Sequence, residues 1–327
     1  MKLLFIADPL EDFKIYKDST YAMMQEAQSR GWSVAACELH DIHWQAGLGV
    51  SAQCKTIAIT PDSIAAQAGF TAKNPWFAIK NEARIALKDF DAVLMRKDPP
   101  FDAEYLYATH VLQQAEREGA RVLNKPQALR DHSEKLALME FAQFAAPTLV
   151  ARDMQVLRDF HAQHGDVIFK PLDGMGGAGI FRVGADGLNL GSVIEQLTHN
   201  GKQSIMAQRY LPAIAEGDKR VLLIGGQVLP YALARIPQGG EVRGNLAAGG
   251  KGVAMALTAR EREVAEFLAP ILYARGLHLV GLDMIGGYLT EINVTSPTCF
   301  VEITQQKGLN VAALMMDAVA QAVAFRA

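Results

Sequence analysis

The stretch KPLDGMGGAGIFRV, residues 170–183, decides the fold of this chain. Gly174, Gly176 and Gly179 match the G-x-G-x-x-G pattern of dinucleotide-binding folds, which requires a strand before the glycines and a helix after them. Residues 180–183 have the composition of a strand instead. The sequence therefore predicts a strand, a glycine loop and a second strand, and it argues against a dinucleotide-binding fold.

A glycine loop of this kind is suited to covering phosphate groups. Without side chains, the backbone N–H groups of Gly174, Gly176, Gly177 and Gly179 can approach phosphate oxygens closely. Lys170, on the preceding strand, would add a positive charge beside those oxygens. The alternative is an ordinary flexible hairpin turn. We favour a phosphate cover, because five of the seven residues 173–179 are Gly or Ala, more than a hairpin needs.

A second glycine-rich stretch follows at 236–252, IPQGGEVRGNLAAGGKG. It fails the P-loop pattern, since Asn245 stands where glycine is needed and Gly252 where serine or threonine is needed. A loop this long inside a compact domain is usually a functional lid or a disordered linker, and the predicted strands on both sides favour a lid. Arg235 and Arg243 could hold carboxylate or phosphate oxygens there.

A third segment, GLDMIGGYLTEINVTSPT at 281–298, predicts a hairpin. A three-residue loop at 286–288 would place Asp283 directly opposite Glu291, with Asn293 on the same face. The alternative two-residue turn would put Asp283 on the apolar face, which costs more. These three side chains offer hard oxygen ligands, as Mg²⁺ sites with bridging phosphates use. A solvated hairpin face is the competing interpretation.

The composition excludes several classes of protein. Half of the 327 residues are apolar, one fifth are charged, and the net charge of −3 provides no basic surface for nucleic acid. The three cysteines, Cys37, Cys54 and Cys299, show no metal or disulfide spacing, which fits a reducing compartment. The first residues match a buried strand rather than a signal peptide, and 309–325 is too short and too polar to span a membrane. We expect a cytoplasmic protein that binds neither nucleic acid nor membrane.

The order of the predicted elements suggests two fold classes in one chain. Residues 1–124 alternate strand and helix, which is typical of a doubly wound α/β domain, although 41–75 shows no period and is predicted as loop with one short strand at most. Arg96 ends a buried strand, where ligands of such sheets bind. The remainder is predicted to be α+β, with a helix opened by Asp131 and Glu134 and running to Phe144.

Taken together, these segments resemble the ATP-grasp ligases, and most closely the bacterial type of glutathione synthetase. The resemblance extends over nearly the whole chain and rests on six blocks in the family's order: MRKDPPFD, NKPQALRD, KPLDGMGGAGIFRV, LPAIAEGDKRVL, ARIPQGGEVRGNLAAGGKG and LTEINVTSPTC. It implies an N-terminal α/β domain at 1–124, followed by an α+β pair of ATP-grasp subdomains. These are a lid subdomain at 125–204 and a C-terminal subdomain at 205–327, which carries the catalytic loop 236–252.

The resemblance also implies roles for individual residues. Lys135, Lys170 and the glycine loop would bind the ATP phosphates. The adenine hinge and the nucleotide side would be formed by Gln208, Tyr210, Leu211 and Asp218. Two Mg²⁺ ions, with Mn²⁺ as a possible substitute, would be held by Asp283, Glu291 and Asn293. The acyl phosphate and the substrates would be contacted by Arg220, Arg235, Arg96 and Arg243. Val301 departs from the family, which has arginine there.

The activity implied is the ATP-dependent joining of γ-glutamylcysteine to glycine. It would proceed through an acyl phosphate, release ADP and phosphate, and take place in a homo-oligomer. Two alternatives remain open at the level of sequence: another carboxylate–amine ligase resembling D-alanine–D-alanine ligase, and a non-catalytic ATP-binding protein on the same scaffold.

Overall fold

The structure is a computed structural model that describes residues 1–60, 76–239, 244 and 249–325. Residues 61–75 of the predicted loop 41–75 lie outside these ranges, and so does the glycine-rich segment 240–248 apart from Gly244. Arg243, which we predicted to contact substrate, is also outside the described residues.

The N-terminal domain is built on one seven-stranded sheet. Its strands are β1 (Lys2–Ile6), β2 (Ser33–Cys37), β3 (Ile42–Gln45), β4 (Gly49–Ile59), β5 (Phe77–Ala86), β6 (Ala92–Met95) and β7 (Val122–Leu123). The strands β2, β1, β6 and β7 are parallel neighbours in that order. The accompanying helices are α1 (Ser19–Ser29), α2 (Ala103–Arg117) and α3 (Pro126–Asp131). The predicted α/β class of this domain is thus confirmed.

The prediction of a loop with at most one short strand was wrong for residues 42–59, which form two strands. Strands β3, β4 and β5 form an antiparallel extension at one edge of the sheet. In β4 the buried residues Val50, Ala52 and Cys54 alternate with more exposed ones, whereas the central residues of β5 are mostly exposed. Small and polar residues interrupt the apolar alternation of these strands, so the sequence shows no strand period. The strands are stabilised by pairing with each other, which the period of one segment does not reveal.

The second sheet has four strands in the order β10-β9-β11-β8. They are β8 (Thr148–Ala151), β9 (Val167–Pro171), β10 (Phe181–Val183) and β11 (Ile205–Arg209), covered by α4 (Met154–His164) and α5 (Leu190–Thr198). Phe169 pairs with Phe181, so the glycine loop connects two antiparallel strands as predicted, and no helix follows it. Because β11 belongs to this sheet, we move the proposed subdomain boundary from 204 to about residue 210.

The third sheet has five antiparallel strands in the order β14-β13-β12-β15-β16. They are β12 (Asp218–Ile224), β13 (Gln227–Ile236), β14 (Lys251–Ala256), β15 (Leu279–Ile285) and β16 (Tyr288–Asn293). Three helices pack on it: α6 (Ala259–Ala274), α7 (Phe300–Lys307) and α8 (Val311–Ala324). Thr258 and Glu261 form the predicted capping box at the start of α6. This mixed architecture confirms the α+β class of the second part.

The predicted helix from Asp131 to Phe144 was wrong in form. Helix α3 ends at Asp131, and a separate 3₁₀ segment, Leu136–Phe144, is kinked at Phe141. The carboxylate of Glu134 accepts hydrogen bonds from the chain after β16 and so cannot close a capping box with Asp131. Glu134 therefore bonds to Val294 and Thr295, which are distant in the sequence, instead of forming the predicted capping box with Asp131.

The first and third sheets are joined by a shared core. Buried side chains of α1, α7 and α8 belong to one apolar cluster. Arg30 reinforces this contact by donating to the Asp317 carboxylate at 2.7 Å and to the Ala313 carbonyl at 3.0 Å. Within the described ranges, no helix has both the length and the apolar character needed to cross a bilayer.

Candidate functional site

One cavity of about 520 Å³ lies where the three sheets meet. Among the residues that the structure describes, its wall includes every predicted site residue except Gly179 and Arg96: Lys135, Lys170, Gly174, Gly176, Gly177, Gln208, Tyr210, Leu211, Asp218, Arg220, Arg235, Asp283, Glu291 and Asn293. Residues that are far apart in the sequence therefore share one site.

One end of the cavity is apolar. Ile168, Ile180, Ile214 and Ile285 line it together with Gln208, Tyr210 and Leu211 at the end of β11. The Gln208 amide is fixed by donating to the Thr148 hydroxyl at 2.9 Å. Flat apolar walls with a few fixed polar groups are suited to a planar aromatic ring.

The glycine loop forms the roof beside this apolar end. Gly176 and Gly177 have φ angles of +62° and +85°, which favour glycine. Gly179 lies outside the cavity wall, but its φ is +71° and an added Cβ would lie 3.1 Å from the Pro171 ring. Gly179 therefore shapes the loop, whereas Gly176 and Gly177 border the cavity.

Two buried lysines follow beneath the loop. The Nζ of Lys135 donates to the Gly174 carbonyl at 2.7 Å and lies 3.1 Å from the Glu291 carboxylate. The Nζ of Lys170 lies 3.4 Å from the Thr290 carbonyl. Burial lowers the pKa of Lys170, and the negative charge of Glu291 opposes that shift. An anion between the two ammonium groups would offset their loss of hydration.

A compact group of arginines and aspartates forms the centre of the cavity. Arg220 donates from Nε and from one terminal nitrogen to the two oxygens of Asp283, both at 2.7 Å. Arg235 contacts the same carboxylate at 2.8 Å and Asp218 at 2.5 Å. Burial would raise the pKa of Asp283, but the two guanidinium groups outweigh it and hold that pKa well below its usual range. Asp283 is therefore ionised, and both arginines keep donors that an anionic ligand can accept.

Asp218 differs from Asp283 in its electrostatic environment. Burial raises the pKa of Asp218 to about 6, although the Arg235 guanidinium opposes the shift. One of its carboxylate oxygens is buried and has no hydrogen-bond partner among the described residues. An unsatisfied acceptor on the cavity wall is a position where a ligand hydroxyl or amine can donate.

The β15–β16 hairpin has the predicted pairing but not the predicted turn. Ile285 pairs with Tyr288, so the turn has two residues, Gly286 and Gly287, and the three-residue loop was wrong. An irregularity in the register after Asp283 restores the pairing of Asp283 with Glu291. Thr290 is the extra residue, and its hydroxyl donates to the Asp283 carbonyl at 3.0 Å. A β-bulge thus brings the carboxylates together.

The donor chemistry of this hairpin fits a hard cation. The side-chain N–H of Asn293 donates a hydrogen bond to the Gly281 carbonyl at 3.1 Å, and the amide oxygen of Asn293 remains available as an acceptor. Glu291 and Asp283 add carboxylate oxygens to the same cavity wall. In the part of the chain that the structure describes, no group of three or more His, Cys, Asp or Glu side chains forms a complete metal cage. Such an open set suits Mg²⁺, which takes its remaining ligands from water and phosphate.

Two other predicted residues have different surroundings. Arg96 is buried, donates to the Thr20 hydroxyl at 3.0 Å and to the Pro297 carbonyl at 2.9 Å, and does not line the cavity. It therefore fastens the N-terminal domain to the turn after β16. Val301 is buried on α7 and is also absent from the cavity wall.

Sequence reasoning missed several residues of the site. Glu134 lines the cavity and accepts hydrogen bonds from Val294 and Thr295, but its spacing from Asp131 suggested only a helix cap. Lys17 and Glu302 also line the cavity. Each of these residues lies in a segment without a glycine-rich motif, so no pattern in the sequence linked it to the site.

Family comparisons cover almost the entire chain. The N-terminal domain of prokaryotic glutathione synthetase matches residues 1–130, and the ATP-grasp domain of prokaryotic glutathione synthetase matches residues 134–308. The junction between the two matches falls where α3 ends.

Individual relatives agree with these matches. A glutathione synthetase from Ralstonia nicotianae is 59% identical over 98% of this chain and 96% of its own length. A glutathione synthetase from Neisseria meningitidis serogroup A is 55% identical over 98% of this chain and 99% of its own length. Among solved structures, the D-cycloserine synthetase DcsG superposes with a TM-score of 0.66 at 15% identity, covering 99% of this chain and 100% of that one. That last likeness concerns the fold alone.

Proposed function

The chain belongs to the prokaryotic glutathione synthetase family and is an ATP-dependent ligase that makes glutathione, and we propose that its reaction takes place in the cavity between the three sheets. The observation that carries this proposal is the convergence of the lysines, the arginine–aspartate group and the open oxygen-ligand set on one cavity wall. Phosphoryl transfer needs this combination of positive charge and positioning.

In this proposal ATP lies along the cavity from its apolar end towards the arginines. Adenine occupies the pocket of Ile168, Ile214 and Ile285, next to the hinge residues Gln208, Tyr210 and Leu211. The phosphates lie under the glycine loop, where the ammonium groups of Lys135 and Lys170 neutralise their charge. Asp218 accepts a hydrogen bond from the nucleotide through its unsatisfied oxygen.

Asp283, Glu291 and Asn293 would hold the divalent cation. When bound, Mg²⁺, with Mn²⁺ as a substitute, would neutralise phosphate charge and fix the geometry of the transferred group. In the free enzyme, the ion pairs of Asp283 with Arg220 and of Glu291 with Lys135 orient both carboxylates.

The reaction has two balanced steps. The cysteinyl carboxylate of γ-glutamylcysteine attacks the γ-phosphorus of ATP, forming an acyl phosphate as the bond to ADP breaks. The amine of glycine then attacks the acyl carbon, forming the amide and expelling phosphate while the amine gives up its proton. Arg220 and Arg235 stabilise the negative charge that develops on the transferred group and on the acyl oxygen.

Exclusion of water is the second requirement of this chemistry. An acyl phosphate exposed to water would hydrolyse, so a cover over the reacting groups is needed. We assign that cover to the segment 236–252, with Arg243 directed to substrate. Gly244 of this segment reaches the cavity wall, and an added Cβ there would lie 2.2 Å from the Arg235 carbonyl.

The remaining expectations concern the state of the protein in the cell. We propose a cytoplasmic homo-oligomer whose partners are its small substrates, γ-glutamylcysteine and glycine, and which binds neither nucleic acid nor membrane. The modest net charge of −3 supports the absence of a nucleic-acid partner.

Release of ADP with different substrate pairs tests the proposed reaction. The enzyme is expected to release ADP with γ-glutamylcysteine plus glycine, in equal amount to the glutathione formed, and to show little release with D-alanine alone. Activity with D-alanine alone would instead favour the D-alanine–D-alanine ligase-like alternative. ATP binding without turnover on any pair would favour the non-catalytic one.

A further inference from the structure

We propose that Glu302 and Lys17 bind the α-amino acid head of the γ-glutamyl donor, Glu302 taking its ammonium group and Lys17 its carboxylate. This inference rests on the proposed function, because it assigns a subsite within the same cavity. It concerns selection of the substrate, and the residues involved belong neither to the glycine loop nor to the proposed metal ligands.

The subsite lies between the N-terminal domain and the segment after β16. Lys14, Lys17 and Asp18 reach the cavity from the loop that leads into α1. Thr298 and Glu302 reach it from the start of α7. The adenine and phosphate groups of ATP are assigned to other parts of the cavity, so this wall remains for a substrate.

Glu302 carries the clearest sign of a missing partner. Its Oε2 is buried and has no hydrogen-bond partner among the described residues. Burial raises the pKa of this carboxyl, and the charge of Lys17 opposes the shift. A buried carboxylate oxygen without a donor is costly, and an ammonium group of a ligand would remove that cost.

Lys17 supplies the complementary charge. Its Nζ forms no hydrogen bond or ion pair with the described residues and lies 5.8 Å from the centre of the Tyr16 ring. A cation and a carboxylate on the wall of one cavity, close enough for the charge of Lys17 to act on Glu302, match the adjacent carboxylate and ammonium groups of an amino acid head. A phosphate group fits less well, because Asp18 and Glu302 would repel it.

The chemistry of the two substrates decides which of them fits here. Glycine must present an unprotonated amine to the acyl phosphate beside Arg220, so a carboxylate that holds its ammonium form would oppose the reaction. The γ-glutamyl donor keeps its α-ammonium and α-carboxylate groups intact, and they lie at the end opposite its reacting cysteinyl carboxylate. Its head can therefore remain bound to Glu302 and Lys17 throughout turnover.

Two donor analogues test the assignment group by group. Glutarylcysteine lacks the α-ammonium group, and 4-aminobutanoylcysteine lacks the α-carboxylate. We expect Glu302→Gln to lower kcat/KM for γ-glutamylcysteine by about 10- to 100-fold, mainly through KM, as loss of one charge-assisted hydrogen bond does. The same variant should change kcat/KM for glutarylcysteine by less than about threefold, since that contact is already missing.

Lys17→Met should show the reverse selectivity. It should lower kcat/KM for γ-glutamylcysteine and for glutarylcysteine, but change the value for 4-aminobutanoylcysteine by less than about threefold. Glu11→Gln and Lys80→Met are matched controls, because both side chains are exposed and neither lines the cavity. These controls should leave kcat/KM unchanged for every donor.

The outcomes separate this inference from the function on which it rests. If Glu302→Gln and Lys17→Met lower kcat/KM equally for all three donors, or leave γ-glutamylcysteine unaffected, the subsite assignment is overturned while the ligase activity stands. If the wild-type enzyme releases no ADP with γ-glutamylcysteine and glycine, the proposed function itself fails. An equal loss counts against the subsite only when the variant has the melting temperature of the wild type, because a poorly folded variant would also lose activity with every donor. Each of the two variants tests the assignment separately, so one that fails to fold leaves the other to decide.

Discussion

Glu134 accepts two hydrogen bonds from Thr295, one from its backbone N–H at 3.0 Å and one from its hydroxyl at 2.7 Å. The same carboxylate oxygen accepts the Val294 N–H at 2.9 Å, and the Glu134 carbonyl accepts the Ile292 N–H at 2.9 Å. The residue next to Lys135 is thereby tied to the strand that carries Glu291 and Asn293. The lysine proposed to bind phosphate and the strand proposed to bind the metal are therefore held together by one side chain.

Removal of this carboxylate is expected to loosen the site. Glu134→Ala should lower the free energy of unfolding by about 3 kcal/mol, because it leaves buried N–H groups without an acceptor. Glu134→Gln keeps an oxygen in the same place and should lose less than half as much. Urea unfolding of both variants checks this, and equal losses would mean that the hydrogen bonds are not the cause.

Gly281 leaves room for the Arg220 side chain. A Cβ added at Gly281 would lie 2.9 Å from Cδ and 3.1 Å from Nε of Arg220. Gly281→Ala should therefore push the guanidinium away from Asp283 and lower kcat by about 10- to 100-fold, since a preorganised donor is misplaced. Gly191→Ala is the control, because its nearest neighbour would be 3.9 Å away. Unchanged kcat in Gly281→Ala would contradict a catalytic role for Arg220.

His278 should make the protein sensitive to acid. Burial, reinforced by the charge of Lys125, lowers the pKa of His278 to about 4 from its ordinary value of 6.5. The unfolded chain therefore binds a proton that the folded chain does not, so this residue costs stability as the pH falls from 6.5 towards 4. His278→Gln should make the unfolding free energy less dependent on pH in that window. Parallel curves for the variant and the wild type would show that His278 is not responsible.

Glu291 can be tested as a metal ligand separately from its ion pair with Lys135. Glu291→Gln should raise the Mg²⁺ concentration needed for half-maximal activity by about tenfold or more, since a charged ligand is lost. Lys135→Met breaks the same ion pair, at 3.1 Å, but leaves the carboxylate in place. We expect it to raise KM for ATP without a comparable change in the Mg²⁺ requirement. An unchanged requirement in Glu291→Gln would remove Glu291 from the metal site.

The sequence predicted those parts of the fold that depend on local patterns. The hairpin around the glycine loop follows from residues 170–183, and the capping box of α6 from Thr258 and Glu261, because in each case the interacting groups are close along the chain. Residue types alone also suggest phosphate binding at the glycine loop and metal binding at the β15–β16 hairpin, and both stay predictions.

The failures share a physical cause in long-range contacts. The spacing of Asp131 and Glu134 suggested a capping box, but the carboxylate of Glu134 bonds to residues 160 and 161 positions away. The bulge at Thr290 was hidden because pairing, rather than composition, places the extra residue. Glu302 and Lys17 come together only when two domains pack, and no local pattern records that contact.

The most direct test of the account follows an oxygen atom. With γ-glutamylcysteine labelled by ¹⁸O in both oxygens of its cysteinyl carboxylate, the acyl-phosphate route transfers one labelled oxygen to the phosphate and leaves the other in the new amide. Mass analysis of the products should find one ¹⁸O in the released phosphate for each glutathione formed. Glutathione formed with unlabelled phosphate would contradict the acyl phosphate, and with it the roles proposed for Arg220 and Arg235.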